Sequence, residues 1–505
     1  MAVGEFYAPA GDERRPFDRP GPLLPPHGPA LPPSFDFAPP YDVAIKCVRQ
    51  NFKSAHRAAF LLRELALLRS LRGHRLFAQL YHVFQPPPGA DDVFLVFERA
   101  ASDLSSARKE GAVLTMGDVK RVMLSLVCAV GTLHSSGWAH RDIKPANILC
   151  FGPLRWDGVG EPPRVALADF GSARPHGGAV AGGGGGEAAE DVEAIEGLAE
   201  EREEEGDDDA AEPAQPMSTT VVTRTYRAPE FQLLGYRAPH VMSCLDVWSL
   251  GCVFWDLLTM MVPPAAGAGL RRGLFESARG AGTPGAGFLN PATSLLTVQL
   301  RALGPQPEAV RAALPADALR TLDAALADAT AGGEALLEGD GGRMPMEFFQ
   351  ENLAKHIPLQ AAAPTGGGGG GGGDGCPFDD DEGGGAGAQA TPPAAAPMAP
   401  AAHDGDLHAA FDLLRNMLAL LPSGAGAAPA RFSAAECLAH RFFEGEPLPR
   451  CHADAVADAR PPLHSVLRDL PAIPATHGRS AADWRDAVSA EISLWNTEST
   501  WWNNL

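Results

Sequence analysis

The chain has 505 residues and a formal net charge of −21, a field that disfavours nucleic acid and anionic membrane surfaces as partners. That charge is concentrated: between Glu187 and Glu212 stand 14 acidic residues and one arginine, so the rest carries only −8, ordinary for a soluble domain. Gly 56 and Pro 46 make up about a fifth of the residues and cluster in runs, so less of the chain is expected to fold than its length allows.

Residues 1–40 are proline-rich and without periodicity, and are expected to be mostly disordered. Order is expected to begin at the apolar strand Tyr41–Val48. Arg57–Leu71 then sets Ala59, Leu62, Leu65, Ala66 and Leu68 at helical spacing, and Val93–Phe97 is a short buried strand. Long apolar helices are predicted over Val119–Ser135 and Asp246–Leu258, with further helices over Leu295–Leu303 and Phe411–Leu421. Three stretches interrupt them: 152–163, which lengthens a turn; 175–216, Gly-rich and then acidic; and 360–405, with the run Gly366–Gly373. Such segments cannot bury enough apolar area to offset roughly 1–2 kcal/mol per residue of ordering entropy, so disorder is expected in all three. No repeat of fixed period is found.

The eight cysteines form no Cys-x-x-Cys pair, and most sit in apolar contexts that suit reduced, buried thiols. No N-terminal apolar core of the secretory type occurs, nor any run near the ~18 apolar residues a membrane helix needs. The expectation is a cytoplasmic and/or nuclear protein. The isolated histidines His56, His74 and His82 lack metal-ligand spacing.

Two strings carry chemistry: His140-Arg141-Asp142-Ile143-Lys144-Pro145-Ala146-Asn147-Ile148-Leu149 and, twenty residues on, Asp169-Phe170-Gly171. A lone Asp or Asn in a loop is usually a turn former or a cap. Together, in this order, they supply what phosphoryl transfer needs: a base or hydroxyl-orienting carboxylate at Asp142, and oxygen ligands for magnesium at Asn147 and Asp169. With Val43-Ala44-Ile45-Lys46 and Leu62-Arg63-Glu64-Leu65 upstream, the chain resembles a eukaryotic protein kinase. The resemblance implies an α+β, two-lobed protein kinase fold: a small antiparallel-sheet lobe with one regulatory helix, and a larger helical lobe.

It also implies roles. Lys46 would hold the α- and β-phosphates of ATP and pair with Glu64; Asp142 would be the base and Lys144 would steady the γ-phosphate; Asn147 and Asp169 would bind Mg2+. His140 would pack on Phe170 as a structural residue. The nucleotide set would also include Ala44, Leu149, Glu98 and Ala100 (the last two through their main chain at the hinge), with Phe97 as gatekeeper and Asp103 reaching the ribose. Lys144-Pro145 is the serine/threonine variant of the loop. Thr223-Arg224-Thr225-Tyr226-Arg227-Ala228-Pro229-Glu230 is similar to the activation-segment end of the group containing mitogen-activated and cyclin-dependent kinases. There an arginine in the place of Arg227 leaves a pocket for proline after the phosphorylated residue. Asp246 would anchor the catalytic loop, and Arg431 would pair with buried Glu230.

The expected organisation is a small lobe over 41–100, a large lobe over 101–445 with inserts 175–216 and 360–405, and a C-terminal extension over 446–505. The expected partners are proteins with Ser/Thr-Pro sites, an upstream kinase acting on Ser218 or Thr220, and a docking partner or cyclin. The pattern fails in one place: no Gly-rich phosphate loop precedes Lys46. Val3-Gly4-Glu5-Phe6-Tyr7 is similar to such a loop with its second glycine lost, implying a degenerate small lobe or an incomplete gene product. Three readings stay open: a mitogen-activated-like enzyme, a cyclin-dependent-like enzyme, and a pseudokinase scaffold. Half of the eight tryptophans fall in the last 22 residues, Trp484, Trp495, Trp501 and Trp502, where Ser480–Trp495 has helical spacing. That tail would fold back on the small lobe or dock a partner.

Overall fold

A computed structural model describes residues 2–5, 42–49, 51–53, 55–85, 91–159, 162–175, 225–234, 242–263, 273–275, 291–331, 343–354, 404–420, 430–449 and 481–498. The strand around Lys46 organises the smaller of two lobes. β1 (Ala2–Glu5), β2 (Asp42–Val48), β3 (Leu80–Phe84) and β4 (Val93–Glu98) form an antiparallel sheet in the order β1-β2-β4-β3. Lys46 lies opposite Leu95, and Val43 opposite Glu98. β1 corrects the expectation that order begins at Tyr41 after a mostly disordered N-terminus: Ala2 pairs with Ile45 and Glu5 with Asp42. A four-residue strand is too short to reveal its periodicity, but it satisfies the backbone groups along that edge of β2. Residues 6–41 lie outside the described residues.

Helix α1 (Ala55–Ser70) buries Leu61, Leu65 and Leu68 at helical spacing. The turn after it runs beside a strand of the other lobe: the Ala78 amide donates to Leu167 O at 2.9 Å, and the Leu167 amide to Leu76 O at 2.9 Å.

The large lobe begins with β5 (Ser102–Asp103), α2 (Leu104–Lys109) and α3 (Met116–Ser135). Thr115 and Asp118 start α3 with a capping box, each side chain taking the other's backbone N–H. β6 (Trp138–Ala139) pairs with β9 (Arg174–Pro175), and β7 (Ile148–Phe151) with β8 (Arg164–Leu167). The β7–β8 connection, expected to be disordered, is tied down at one end. Leu154 is buried, the Trp156 amide donates to Asp118 Oδ1 at 3.0 Å, and the Arg121 guanidinium lies 4.8 Å over the Trp156 ring. Two apolar side chains in a Gly/Pro-rich stretch suffice to anchor it, which average composition hides.

Then come α4 (Pro229–Leu234), α5 (Met242–Thr259), α6 (Pro291–Leu303), α7 (Glu308–Ala312), α8 (Ala316–Ala331), α9 (Met346–Ala354), α10 (Asp404–Met417) and α11 (Ala434–Leu438). α5 is the core, burying Trp248, Phe254 and Trp255. Gly251 lets the chain past α10 approach closely, since a Cβ there would sit 2.8 Å from Leu418 Cδ2. The Glu230–Arg431 pair is formed and fully buried. Arg431 Nη2 donates to Glu230 Oε2 at 2.7 Å, while other guanidinium N–H groups reach the carbonyls of Ala419, Leu420 and Cys244.

The tail folds back. α12 (Ala481–Glu498) packs on α1 with Trp484, Val488 and Trp495 buried. Arg69 Nε donates to Glu491 Oε1 at 2.7 Å, Arg72 lies 4.0 Å over the Trp495 ring, and Arg485 reaches Asp91 at 2.5 Å. Trp501 and Trp502, the acidic run, Gly366–Gly373, Ser218 and Thr220 lie outside the described residues. The architecture is α+β in two lobes: a small antiparallel sheet with its helix, and a larger helical body.

Candidate active site

Each chemistry-bearing residue is set by an element from a different part of the chain. Lys46 projects from the middle of β2, and its Nζ lies 2.8 Å from Glu64 Oε1 on α1 and 2.9 Å from Asp169 Oδ1 beyond β8. Burial would lower the Lys46 pKa, but Asp169 and Glu64 outweigh it and raise the ammonium above its ordinary value. Lys46 is therefore a fixed positive charge, pinned at the junction of α1 and the strand preceding Asp169.

Among the described residues, Arg141 and Asp169 are the two non-glycine residues in the left-handed region, with φ of 70° and 64°. Such conformations cost about 1–3 kcal/mol and persist where surroundings over-determine them. Here the surroundings do. Asp246 of α5, fully buried, accepts the His140 amide at 2.8 Å, the Arg141 amide at 2.7 Å and His134 Nε2 at 2.8 Å. Burial would raise its pKa, but the His134 bond, the neighbouring histidines and the Arg141 amide hold the carboxyl below its usual range. The His140 ring lies 3.0 Å from Ala168 O and edge-on to Phe170 at 5.0 Å; Phe170 in turn meets Phe77 at 5.8 Å. A continuous buried column thus holds both left-handed residues.

In the loop after β6, Lys144 Nζ donates to Asp142 Oδ2 at 2.9 Å, and Asn147 Nδ2 donates to Asp142 O at 2.8 Å and to Asp142 Oδ2 at 3.0 Å. Asp142, Lys144 and Asn147 form one cluster; Lys46, Glu64 and Asp169 form the other. The Ala168 amide donates to Asn147 O at 2.9 Å and joins the two. Because the amide nitrogen of Asn147 serves Asp142, its side-chain oxygen is the group left to meet a cation. With the Asp169 carboxylate it makes a hard-oxygen donor set of the kind magnesium prefers.

At the hinge, Phe97 and Ala44 are buried while Ala100 and Leu149 are half-buried, placing small and apolar surface around the end of β4. Asp103, assigned to the ribose from sequence, is the N-cap of α2: its Oδ1 accepts the Ser106 amide at 2.9 Å and its Oδ2 the Ser106 hydroxyl at 2.8 Å. Arg227 lies with its guanidinium 5.6 Å over the Phe231 ring, and its carbonyl accepts from Gln299 Nε2 at 2.7 Å. Sequence reasoning missed His134, which shares Asp246 with the backbone of His140 and Arg141, and the side chain of Glu98. Neither carries a signal beyond an ordinary polar residue in an apolar context.

A protein-family profile described as protein kinase domain matches residues 40–182. The chain is 31% identical over 219 residues to mitogen-activated protein kinase 9 of Oryza sativa subsp. japonica, covering 43% of this chain and 25% of that protein. It is 30% identical over 217 residues to mitogen-activated protein kinase MPS1 of Pyricularia oryzae, covering 43% and 42%, and 29% identical over 216 residues to mitogen-activated protein kinase 15 of Caenorhabditis elegans, covering 43% and 38%. The matched stretch thus spans less than half the length of each of these relatives. Residues 40–182 are thus similar to protein kinase domains. Among kinases the chain is similar to the mitogen-activated protein kinases.

Proposed function

We propose that the chain is a serine/threonine protein kinase that transfers the γ-phosphoryl group of Mg-ATP to protein hydroxyls, with proline favoured after the acceptor. The observation that carries this reading is the assembly of Lys46, Glu64 and Asp169 within 3 Å contacts beside the Asp142–Lys144–Asn147 cluster. When bound, magnesium would neutralise charge on the phosphates, and Asn147 and Asp169 are the residues that would hold it. Lys46, kept cationic by its two carboxylate partners, would orient the α- and β-phosphates. Asp142 would orient the acceptor hydroxyl and take its proton, and Lys144, 2.9 Å from that carboxylate, would sit against the γ-phosphate. Ala44 and Leu149 would sandwich adenine, with the backbone of Glu98 and Ala100 meeting its edge. Asp103 would reach the ribose only from within its helix-capping role.

Between the enzyme readings, the mitogen-activated-like one is favoured because α12 already covers the outer face of α1, where a cyclin-like partner would otherwise order the Glu64 helix. An upstream kinase would act on Ser218 or Thr220. The reading is tested by presenting Mg-ATP and paired peptides differing only in the residue after Ser or Thr. Faster incorporation into the proline member is expected. Equal incorporation would remove the specificity assigned to Arg227, and no incorporation into any peptide would favour a scaffold.

A further inference from the structure

Sequence gave Glu98 a main-chain role alone, yet its side chain lies at the centre of a largely buried network. Glu98 Oε2 accepts from Arg164 Nη2 at 2.5 Å and Oε1 accepts the Gln79 amide at 2.9 Å, while the Glu98 amide donates to Gln79 O at 3.0 Å. Gln79 is itself saturated: its Nε2 donates to the carbonyls of His74 and Phe77 at 3.0 and 2.9 Å, and its Oε1 accepts the Gly73 amide at 2.6 Å. Arg164 also donates from Nη1 to Arg75 O at 3.3 Å and stacks 3.6 Å over the Phe151 ring.

Three segments meet here: the turn after α1, the hinge end of β4, and the start of β8. The two side chains are 12% and 18% exposed, so the pair is largely desolvated. Removing one partner then leaves an uncompensated charge, unlike a rim ion pair that contributes little. Arg164 opens the strand that delivers Asp169 five residues later, and Leu167 of that strand is bonded through its backbone to Leu76 and Ala78.

We propose that Glu98 and Arg164 form a tether between hinge and β8 that fixes the adenine-binding backbone at Glu98–Ala100 relative to Asp169, so that base and phosphates of one nucleotide are met together. Both are positioning residues, and the inference rests on the nucleotide-site reading above. The test is Mg-ATP binding by calorimetry and steady-state kinetics on the full chain, with Arg164→Leu, Glu98→Gln and Arg164→Lys. For the first two, Kd and KM for ATP should rise about tenfold while kcat changes less than about twofold; Arg164→Lys, which keeps a cation, should recover most of the affinity. Unchanged ATP affinity in both disrupting variants would overturn the tether, as would a raised kcat, which would make the pair a restraint on lobe movement. Equal loss in Arg164→Lys and Arg164→Leu would do the same. If Arg164→Leu does not fold, Glu98→Gln, nearly identical in shape, decides alone. Absence of ATP binding by the unaltered chain would overturn the nucleotide site itself, and the tether with it.

Discussion

At the scale of single residues, burial decides which groups are chemically available. Cys47 is exposed, with its thiol raised by its partial burial and by Asp92, whereas burial pushes Cys150 and Cys437 up to about 12. A thiol with so high a pKa is overwhelmingly protonated near neutrality, and only the thiolate alkylates. Iodoacetamide at about pH 8 should therefore label Cys47 in the native chain and reach Cys150 and Cys437 only after denaturation, as read by peptide mass mapping. Labelling of Cys437 at the rate of Cys47 would contradict the packing around α11. A second residue-scale prediction concerns Arg431, whose guanidinium is fully buried against Glu230 and three carbonyls. Arg431→Met leaves the Glu230 carboxylate without its counter-charge and should cost about 3–5 kcal/mol in a urea melt, whereas a loss below about 1 kcal/mol would mean that the pair is solvated.

At the scale of elements, the link between α1 and α12 is the contact on which the geometry of the candidate site leans. Glu64 can meet Lys46 only if α1 is held in place, and α12 braces its outer face through Trp484, Trp495 and the Arg69–Glu491 pair. Truncating a buried tryptophan typically costs about 3–5 kcal/mol. Trp495→Ala should lower the melting midpoint and weaken transfer activity together, whereas Glu491→Gln should act more mildly. Activity intact in a destabilised Trp495→Ala chain would separate α12 from the positioning of Glu64.

Elements also mark how far the sequence could be read. The helices over Val119–Ser135 and Asp246–Leu258 were legible because they are long, apolar and periodic; the observed helices start about a turn earlier, at Met116 and Met242, and the second ends at Thr259. The β7–β8 connection was misread because Leu154 and Trp156 anchor a stretch whose composition otherwise argues for disorder. β1 was misread because four residues carry no period of their own and acquire structure only by pairing with β2. In the candidate site, motif spacing singled out the side chains that the structure brings together. The residues that support them were not: Asp103 as a cap, His134 on Asp246, and Glu98 with Gln79 and Arg164 take their roles from partners distant in sequence.

At the scale of the whole molecule, two lobes contribute separate halves of the candidate site. The small lobe brings Lys46 and Glu64, the large lobe brings Asp142, Lys144 and Asn147, and Asp169 stands between them, bonded to Lys46. The buried column from Phe77 through Phe170 and His140 to Asp246 ties that junction to the centre of the helical lobe. Among the described residues no helix is long and apolar enough to cross a membrane. The most direct measurement is single-turnover transfer of labelled γ-phosphate from Mg-ATP to a Ser-Pro peptide, comparing the unaltered chain with Asp142→Asn. The expected result is transfer by the unaltered chain and a loss of about 10²–10⁴-fold in the variant, the range for a proton-handling group. Equal rates in the two, or no transfer in either, would contradict the convergence of these six side chains on one phosphoryl group.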